Sequence, residues 1–402
     1  MVLHDKQIIL GISGGISAYK VTDWVREIQR EGAEVQVVMT SNASQFVAPL
    51  TLAALSGKRV YDTMFDPVDA EQIHHINLLR NADLILIAPA TAQTIARLAH
   101  GMADDLLAAM TLAADLPVIV CPAMNSKMFT HPATQNNLEQ LRSYGYKVIE
   151  PDSGDLACRE EGPGRLPEWS TVREVVLQTL SRQDLAGHTV LITAGPTREP
   201  IDPVRYLSNR SSGKMGYALA RTALRRGAKV ILVSGPTSLP PPPGVEFISV
   251  ISAEQMAEAV LSRSTNVSVI VKAAAVADFR PSESLGQKIK KGQTDRQLKL
   301  TATRDILKIL GEQKKESGKF PLLIGFAAES EDLLAEGRRK LHEKNLDLLA
   351  ANDITSIDAG FDVDTNRVVL LDRDDGEEHL PLAPKEQIAD LIWNRVSKIL
   401  DK

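Results

Sequence analysis

Short, almost wholly apolar runs alternate along the first half of the chain with segments whose apolar residues recur at helical spacing. QIILGI, EVQVVMT, ADLILIAPA and PVIVCPA are rich in Val and Ile and have the length of strands. Between the first two, Val21, Trp24, Val25 and Ile28 fall on one face of a helix. The most apolar stretch, Leu106 to Met124, carries Asp115 and Pro117 and reads as a helix followed by a strand, not as a membrane span. Strands apolar on both faces, alternating with helices, predict a parallel sheet covered on both sides.

A loop-rich stretch, PDSGDLACREEGPGRLPEW, follows, then a helix and a polar break, SRQDLAG. The strand pattern then restarts with TVLITAGPT, KVILVSGPT, VSVIVKAAAVAD and LLIGFAAES. The expected architecture is α/β, with two doubly wound Rossmann-like domains over residues 1–187 and 188–402. Pro240 to Pro243 form a stiff surface spacer. Residues 288–304 hold six basic residues and one acid. VVLLDRDDGEEHLPL reads as a hairpin, and an amphipathic helix ends at Leu400.

Composition changes this picture little. A chain of 402 residues, 44% apolar and 24% charged, is ordinary for a globular protein of two or three domains. The net charge of −5 gives no reason to expect nucleic acid or an anionic membrane as partner. Two cysteines, Cys121 and Cys158, provide no disulfide framework and fit a reducing, cytoplasmic setting. No signal peptide is read at the N-terminus.

Polar groups cluster where the apolar runs end. GISGGISAYK, with Ser13, Gly14, Gly15 and Ile16, follows the first strand and enters a helix. Exposed N–H groups at such a turn favour a phosphate, although the turn equally serves as a plain strand–helix connection. Thr40 closes the second strand, Ala88-Pro89-Ala90-Thr91 the third and Cys121 to Asn125 the fourth. Ligands of open α/β sheets sit at these carboxyl ends. Cys121, inside an apolar run, reads as core. Cys158, among Asp, Arg and Glu, does not.

GISGGISAYK, His75 to Asn77, APATAQTIA, GMADDLL, Pro122 to Asn125 and ACREEGPGR occur in one order that resembles the flavin-containing cysteine decarboxylases. The second half resembles phosphopantothenate–cysteine ligases, and the whole chain resembles the bifunctional coenzyme A biosynthesis proteins of bacteria. The resemblance implies FMN held by Ser13, Gly14, Gly15, Ile16, Thr40, Ala88, Pro89, Ala90, Thr91, Ala103 and Asp104. It implies decarboxylation of 4′-phosphopantothenoylcysteine: the cysteine part is oxidised, carbon dioxide leaves, and the enethiol is protonated and reduced. His75 would steer the substrate carboxylate or carry a proton. Asn125 would bind that carboxylate, and Cys158 would protonate the enethiol. Arg159 stands where the family pattern has glycine, and Gln93 where it has asparagine.

In the second half, TAGPTREPIDPVRYLSNRSSGKMG lacks the spacing of a P-loop. Its density of Thr193, Thr197, Arg205, Asn209, Ser211, Ser212 and Lys214 suggests a charged substrate. KIKK at residues 288–291 is either a solvated face or a triphosphate contact. Lys340 and Lys344 are expected one turn apart on a helix. The resemblance assigns CTP to Ala273, Ala274, Ala275, Asp278, Lys288, Arg304, Asp305, Ile306, Leu307, Phe326, Lys340 and Lys344. Asn209 would serve acyl-cytidylate formation and Lys288 the attack by L-cysteine, with Arg205 on the 4′-phosphopantothenate. Thr303 and Arg304 depart from the family's Asn-Pro. Triphosphate chemistry implies Mg²⁺.

The resemblance also implies a homo-oligomer of decarboxylase trimers and ligase dimers. Two other readings are a non-catalytic flavin-binding regulatory protein of the same fold and a nicotinamide-dependent oxidoreductase. The first is disfavoured by the presence of His75, Asn125 and Cys158, the second by the absence of GxGxxG.

Overall fold

The computed structural model describes residues 3–65, 74–155, 160–289, 297–317, 321–329, 332–353 and 363–401. These fall into two compact units, Met1–Leu180 and Ser181–Lys402.

The first unit is built on a five-stranded parallel sheet. Its strands are β1 (Gln7–Ile12), β2 (Glu34–Met39), β3 (Leu84–Ala90), β4 (Val118–Pro122) and β5 (Lys147–Val148), in the order β2-β1-β3-β4-β5. Pleating sends successive residues to opposite faces. Ile8, Leu10 and Ile12 pack against Val21, Trp24, Val25 and Ile28 of helix α1 (Ala18–Arg30). Ile9, Ile85 and Ile87 pack with Ile95 and Leu98 of α2 (Ala92–Ala99) and Leu107 of α3 (Leu106–Leu112). The apolar stretch from Leu106 thus divides into α3 and β4, as its Asp and Pro predict.

The loop-rich reading of residues 151–169 is corrected. Asp152–Asp155 and Glu161–Arg165 pair as an antiparallel hairpin. Glycine and proline conceal the alternation there, because Gly154, Gly162 and Gly164 all take positive φ. Cys158 and Arg159 lie outside the described residues.

The second unit is built on an eight-stranded sheet. Six of its strands are parallel: β6 (Thr189–Ala194), β7 (Lys229–Ser234), β8 (Glu246–Ser249), β9 (Val269–Lys272), β10 (Leu322–Glu329) and β11 (Leu348–Asp353). The antiparallel pair β12 (Val368–Asp372) and β13 (Glu377–His379) completes the order β8-β7-β6-β9-β10-β11-β12-β13. The expected C-terminal hairpin is β12–β13, and the final helix runs over Lys385–Leu400. Its Trp393 is fully buried and donates from Nε1 to Leu219 O at 3.1 Å. β8 and β11 were not predicted. β8 is mostly exposed and lies at the sheet edge, so it lacks the apolar run of its neighbours.

Among the described residues no helix is long and apolar enough to cross a membrane.

Candidate active sites

In each sheet the strand order reverses beside the first strand, between β1 and β3 in one unit and between β6 and β9 in the other. Such reversals open a crevice at the carboxyl ends of the strands.

In the first crevice the turn after β1 is tied to the end of β3. Ser13, buried, donates from N at 3.2 Å and from Oγ at 2.6 Å to Pro89 O, and its Oγ accepts from Thr91 N at 2.9 Å. Gly14 has no room for a side chain: a Cβ would stand 2.5 Å from Asn42 Cβ and 2.8 Å from Asn42 C. Gly15, Ile16 and Thr91 line a cavity of about 600 Å³ with Asn125, Tyr19, Lys20, Met128 and Arg165. Its walls are mostly apolar, with the N-terminal turn of α1 at one end.

Asn125 ends the turn after β4. Its Oδ1 accepts from Lys127 N at 2.9 Å, and its Nδ2 donates to Glu160 Oε2 at 2.9 Å. The carboxamide is therefore already presented to a carboxylate. The hairpin closes on this turn through Met124 N, which donates to Gly164 O at 2.9 Å. A Cβ at Gly164 would lie 2.1 Å from Met124 O, so only glycine permits that approach.

The remaining expected flavin residues are placed less uniformly. Ala88, Ala90 and Thr40 are buried and shape the crevice through their backbone: Ala90 O accepts from Ala123 N and Thr40 N donates to Ile12 O. Ala103 and Asp104 are exposed, and Asp104 pairs with Arg97 at 3.1 Å instead of lining the cavity. His75 lies on the short helix His74–Asn77 and does not line it either. Its neighbour His74 is the buried one, its ring centroid 5.2 Å from that of Tyr61 at a tilt of 55°. Gln93 is exposed. Cys121 is buried in β4, and burial pushes its thiol far up, which leaves it inert.

In the second crevice the hydroxyls expected to face a substrate turn inward. Thr193 Oγ1 accepts from Ala274 N at 3.1 Å and Thr197 Oγ1 from Ala277 N at 3.0 Å, and both threonines are fully buried. They hold the Ala273–Asp278 turn in shape. Asn209 reaches the same turn, donating from Nδ2 to Val276 O at 3.0 Å and Ala275 O at 3.4 Å.

Arg205 and Lys288 are gathered by a residue the sequence did not single out. Asp202 accepts from Val204 N and Arg205 N on Oδ1 at 2.8 Å each, and from Ile289 N on Oδ2 at 3.1 Å. Burial opposes its charge, but these N–H groups outweigh burial and hold the carboxyl below its ordinary range. Arg205 Nη2 also donates to Ile289 O at 3.4 Å. The signal was the Asp-Pro turn, whose aspartate commonly takes nearby backbone N–H groups. Lys290 and Lys291 lie outside the described residues.

A cleft of about 240 Å³ collects most of the expected nucleotide residues: Ala274, Asp278, Arg304, Asp305, Ile306, Leu307, Phe326, Lys340 and Lys344. Ala273 and Ala275 belong to the adjoining turn and do not line it. Asp305 caps the helix Ile306–Ser317 by accepting from Lys308 N at 3.1 Å, and it pairs with Lys344 at 2.8 Å. Burial raises its pKa, yet Lys344 and the Lys308 N–H prevail and hold it low. Arg304 pairs with Glu254 at 2.9 Å. Lys344 stands just beyond the helix Leu333–Glu343, not within it as expected. Lys272, at the floor, was also missed. Its signal is an ionisable residue closing an apolar strand.

These sheets and crevices define a protein with two doubly wound α/β units, each with a ligand crevice at its switch point. The Flavoprotein family model matches residues 2–181, and that of the DNA/pantothenate metabolism flavoprotein C-terminal domain matches residues 185–400. The chain is 44% identical over 398 residues to a coenzyme A biosynthesis bifunctional protein CoaBC of Vibrio vulnificus, covering 99% of each. It is 45% identical over 402 residues to that of Bacillus subtilis, covering 99% of this chain and 98% of the other. A crystal structure of the C-terminal domain of a CoaBC protein shares 43% identity, with a TM-score of 0.47, over 55% of this chain and 98% of that one. The chain belongs to the CoaBC family of bifunctional coenzyme A biosynthesis proteins.

Proposed function

We propose that the chain catalyses two consecutive steps: CTP-dependent ligation of L-cysteine to 4′-phosphopantothenate in the second unit, then FMN-dependent decarboxylation of the product in the first. The observation that carries this reading is the convergence of the expected residues on two switch-point crevices. Gly15, Thr91 and Asn125 meet in one, and Asp278, Asp305, Phe326 and Lys344 in the other. We further take the junction between residues 181 and 188 to separate two enzymes with independent sites.

The first crevice fits FMN. Gly14 and Gly15 bring bare backbone to the N-terminal turn of α1, suited to a phosphate, and the apolar walls suit a ring system. Ser13, Gly14, Gly15, Ile16 and Thr91 would hold it, and the flavin would supply reversible two-electron redox chemistry. Asn125 Nδ2, now facing Glu160, would bind the substrate carboxylate. Cys158 would deliver a proton to the enethiol. His75 does not line the cavity of its own chain, and Ile16, Tyr19 and Met128 around that cavity are exposed. Both features support a trimer in which a neighbouring copy supplies the histidine; pairing of the ligase units as dimers rests on the family resemblance alone.

In the second crevice Asn209 stands over the Ala275–Val276 carbonyls, placed to orient the reacting carboxylate during acyl-cytidylate formation. Lys288, held by Asp202 through Ile289, would offset negative charge as the amine of L-cysteine attacks. Lys340 and Lys344 would meet the triphosphate with Mg²⁺. The setting is the cytoplasm, where CTP and reduced thiols are available.

The test is direct. The purified chain should show a flavin absorbance spectrum, release pyrophosphate from CTP when 4′-phosphopantothenate and L-cysteine are supplied, and then release carbon dioxide. Absence of both products would overturn the reading.

A further inference from the structure

Lys272 ends β9 at the floor of the second cleft and is only 7% exposed. No described residue hydrogen-bonds its Nζ. Apolar Ile306, Leu307, Phe326 and Leu349 line the cleft beside it, together with the charged Asp278, Arg304, Asp305, Lys340 and Lys344. An ammonium stripped of water is costly unless a counter-charge meets it. Asp305 is engaged with Lys344 and the Lys308 N–H, and Arg304 with Glu254. Burial accordingly lowers the Lys272 pKa to about 7; Asp305 and Asp278 pull it up, and Lys344 pushes it further down. The cleft thus contains a buried amine, aimed at the ligand space, that awaits an anion.

We infer that Lys272 is a further nucleotide-binding residue, its Nζ meeting the anionic part of a nucleoside triphosphate and taking up a proton as the nucleotide binds. This rests on the nucleotide reading above and adds to it a contact and a proton. The proton moves from solvent to Nζ, and no covalent bond to the ligand forms. Asp278, Asp305, Arg304, Lys340 and Lys344 share the cleft. A comparison between wild type and Lys272 variants cancels whatever they contribute.

The experiment is calorimetric titration of the full chain with CTP and Mg²⁺ at about pH 8, in two buffers of different ionisation enthalpy. That pH lies well above the last phosphate ionisation, which is near ~6. With a pKa of about 7, roughly nine in ten Lys272 side chains are neutral before binding. Wild type should therefore take up roughly 0.9 proton per nucleotide more than Lys272→Met. Lys272→Met should also bind CTP at least about tenfold more weakly, the loss of one charge-assisted contact. Lys272→Arg, already charged, should bind within a few-fold of wild type and lack the uptake. Equal proton uptake in wild type and variants, or wild-type affinity in Lys272→Met, overturns the inference. If Lys272→Met does not fold, Lys272→Arg decides the matter through its proton count. A wild-type chain that binds no CTP sinks the nucleotide reading itself, whereas CTP binding without Lys272-dependent uptake sinks only this step.

Discussion

Replacing Gly14 with alanine tests whether the turn after β1 is a cradle for a phosphate or a plain connection. The added Cβ would stand 2.5 Å from Asn42 Cβ, 2.8 Å from Asn42 C and 2.9 Å from Asn42 O, where ordinary contact begins at 3.4 Å. Two of those three atoms are backbone, so no side-chain rotation relieves the clash. Either the turn or the segment after β2 must move. Overpacking of this kind costs about 1–3 kcal/mol. Ser13 ties the same turn to Pro89 and Thr91, so a shift there also moves the wall of the cavity. If the strain falls on the binding-competent turn, flavin affinity drops by roughly 5- to 150-fold, since about 1.4 kcal/mol is a factor of ten. The assay is fluorescence titration of the flavin-free protein with FMN, beside a thermal melt. Gly15→Ala is the control for the thermal melt alone, since Gly15 itself lines the cavity: its Cβ meets Thr91 Cγ2 at 3.4 Å, an ordinary contact, and should cost far less stability. Wild-type FMN affinity in a folded Gly14→Ala protein would refute the reasoning.

Three further outcomes are expected. Asn209→Asp replaces an amide donor with a carboxylate facing the Ala275 and Val276 carbonyls, so pyrophosphate release should fall at least about a hundredfold. Carbon dioxide release from supplied 4′-phosphopantothenoylcysteine should persist, and equal loss of both activities would refute independent sites. Arg226→Met should destabilise the protein by on the order of 3 kcal/mol, because Arg226, 2% exposed, joins Asp184, Asp390 and Asn394. Burial opposes the Asp184 charge, but Arg226 and Ser397 prevail and depress its folded pKa. Its contribution is therefore complete above the ordinary carboxylate pKa, about 4, and is lost as pH falls below it. Urea melts of both proteins at neutral and acidic pH would reveal this, and a gap that widens on acidification would contradict it. Finally, Cys121 should resist thiol reagents in the folded protein and react only on denaturation, as mass spectrometry of labelled peptides would report; rapid native labelling would refute its burial in β4.

The sequence by itself determined most of the parallel strands at the heart of each sheet, the helix face at Val21, Trp24, Val25 and Ile28, and the polar turns at strand ends. Burial on both faces writes a continuous apolar run into a strand, and a run is legible without knowing its neighbours. The order of those strands was decided only in three dimensions. It makes the reversal beside β1 and β6, and so brings Ser13 to Pro89 and Asn209 to Ala275. The hairpin that carries Gly164 against Met124 was hidden for a related reason: its glycines serve a close backbone approach that no periodicity records. Asp202 and Lys272 left only weak local signals, an Asp-Pro turn and an ionisable strand end, that do not by themselves mark site residues. One acts through backbone N–H groups from a segment 87 residues away. The other acquires its chemistry from burial, and desolvation is a property of the packed cleft, not of a lysine in a string of letters.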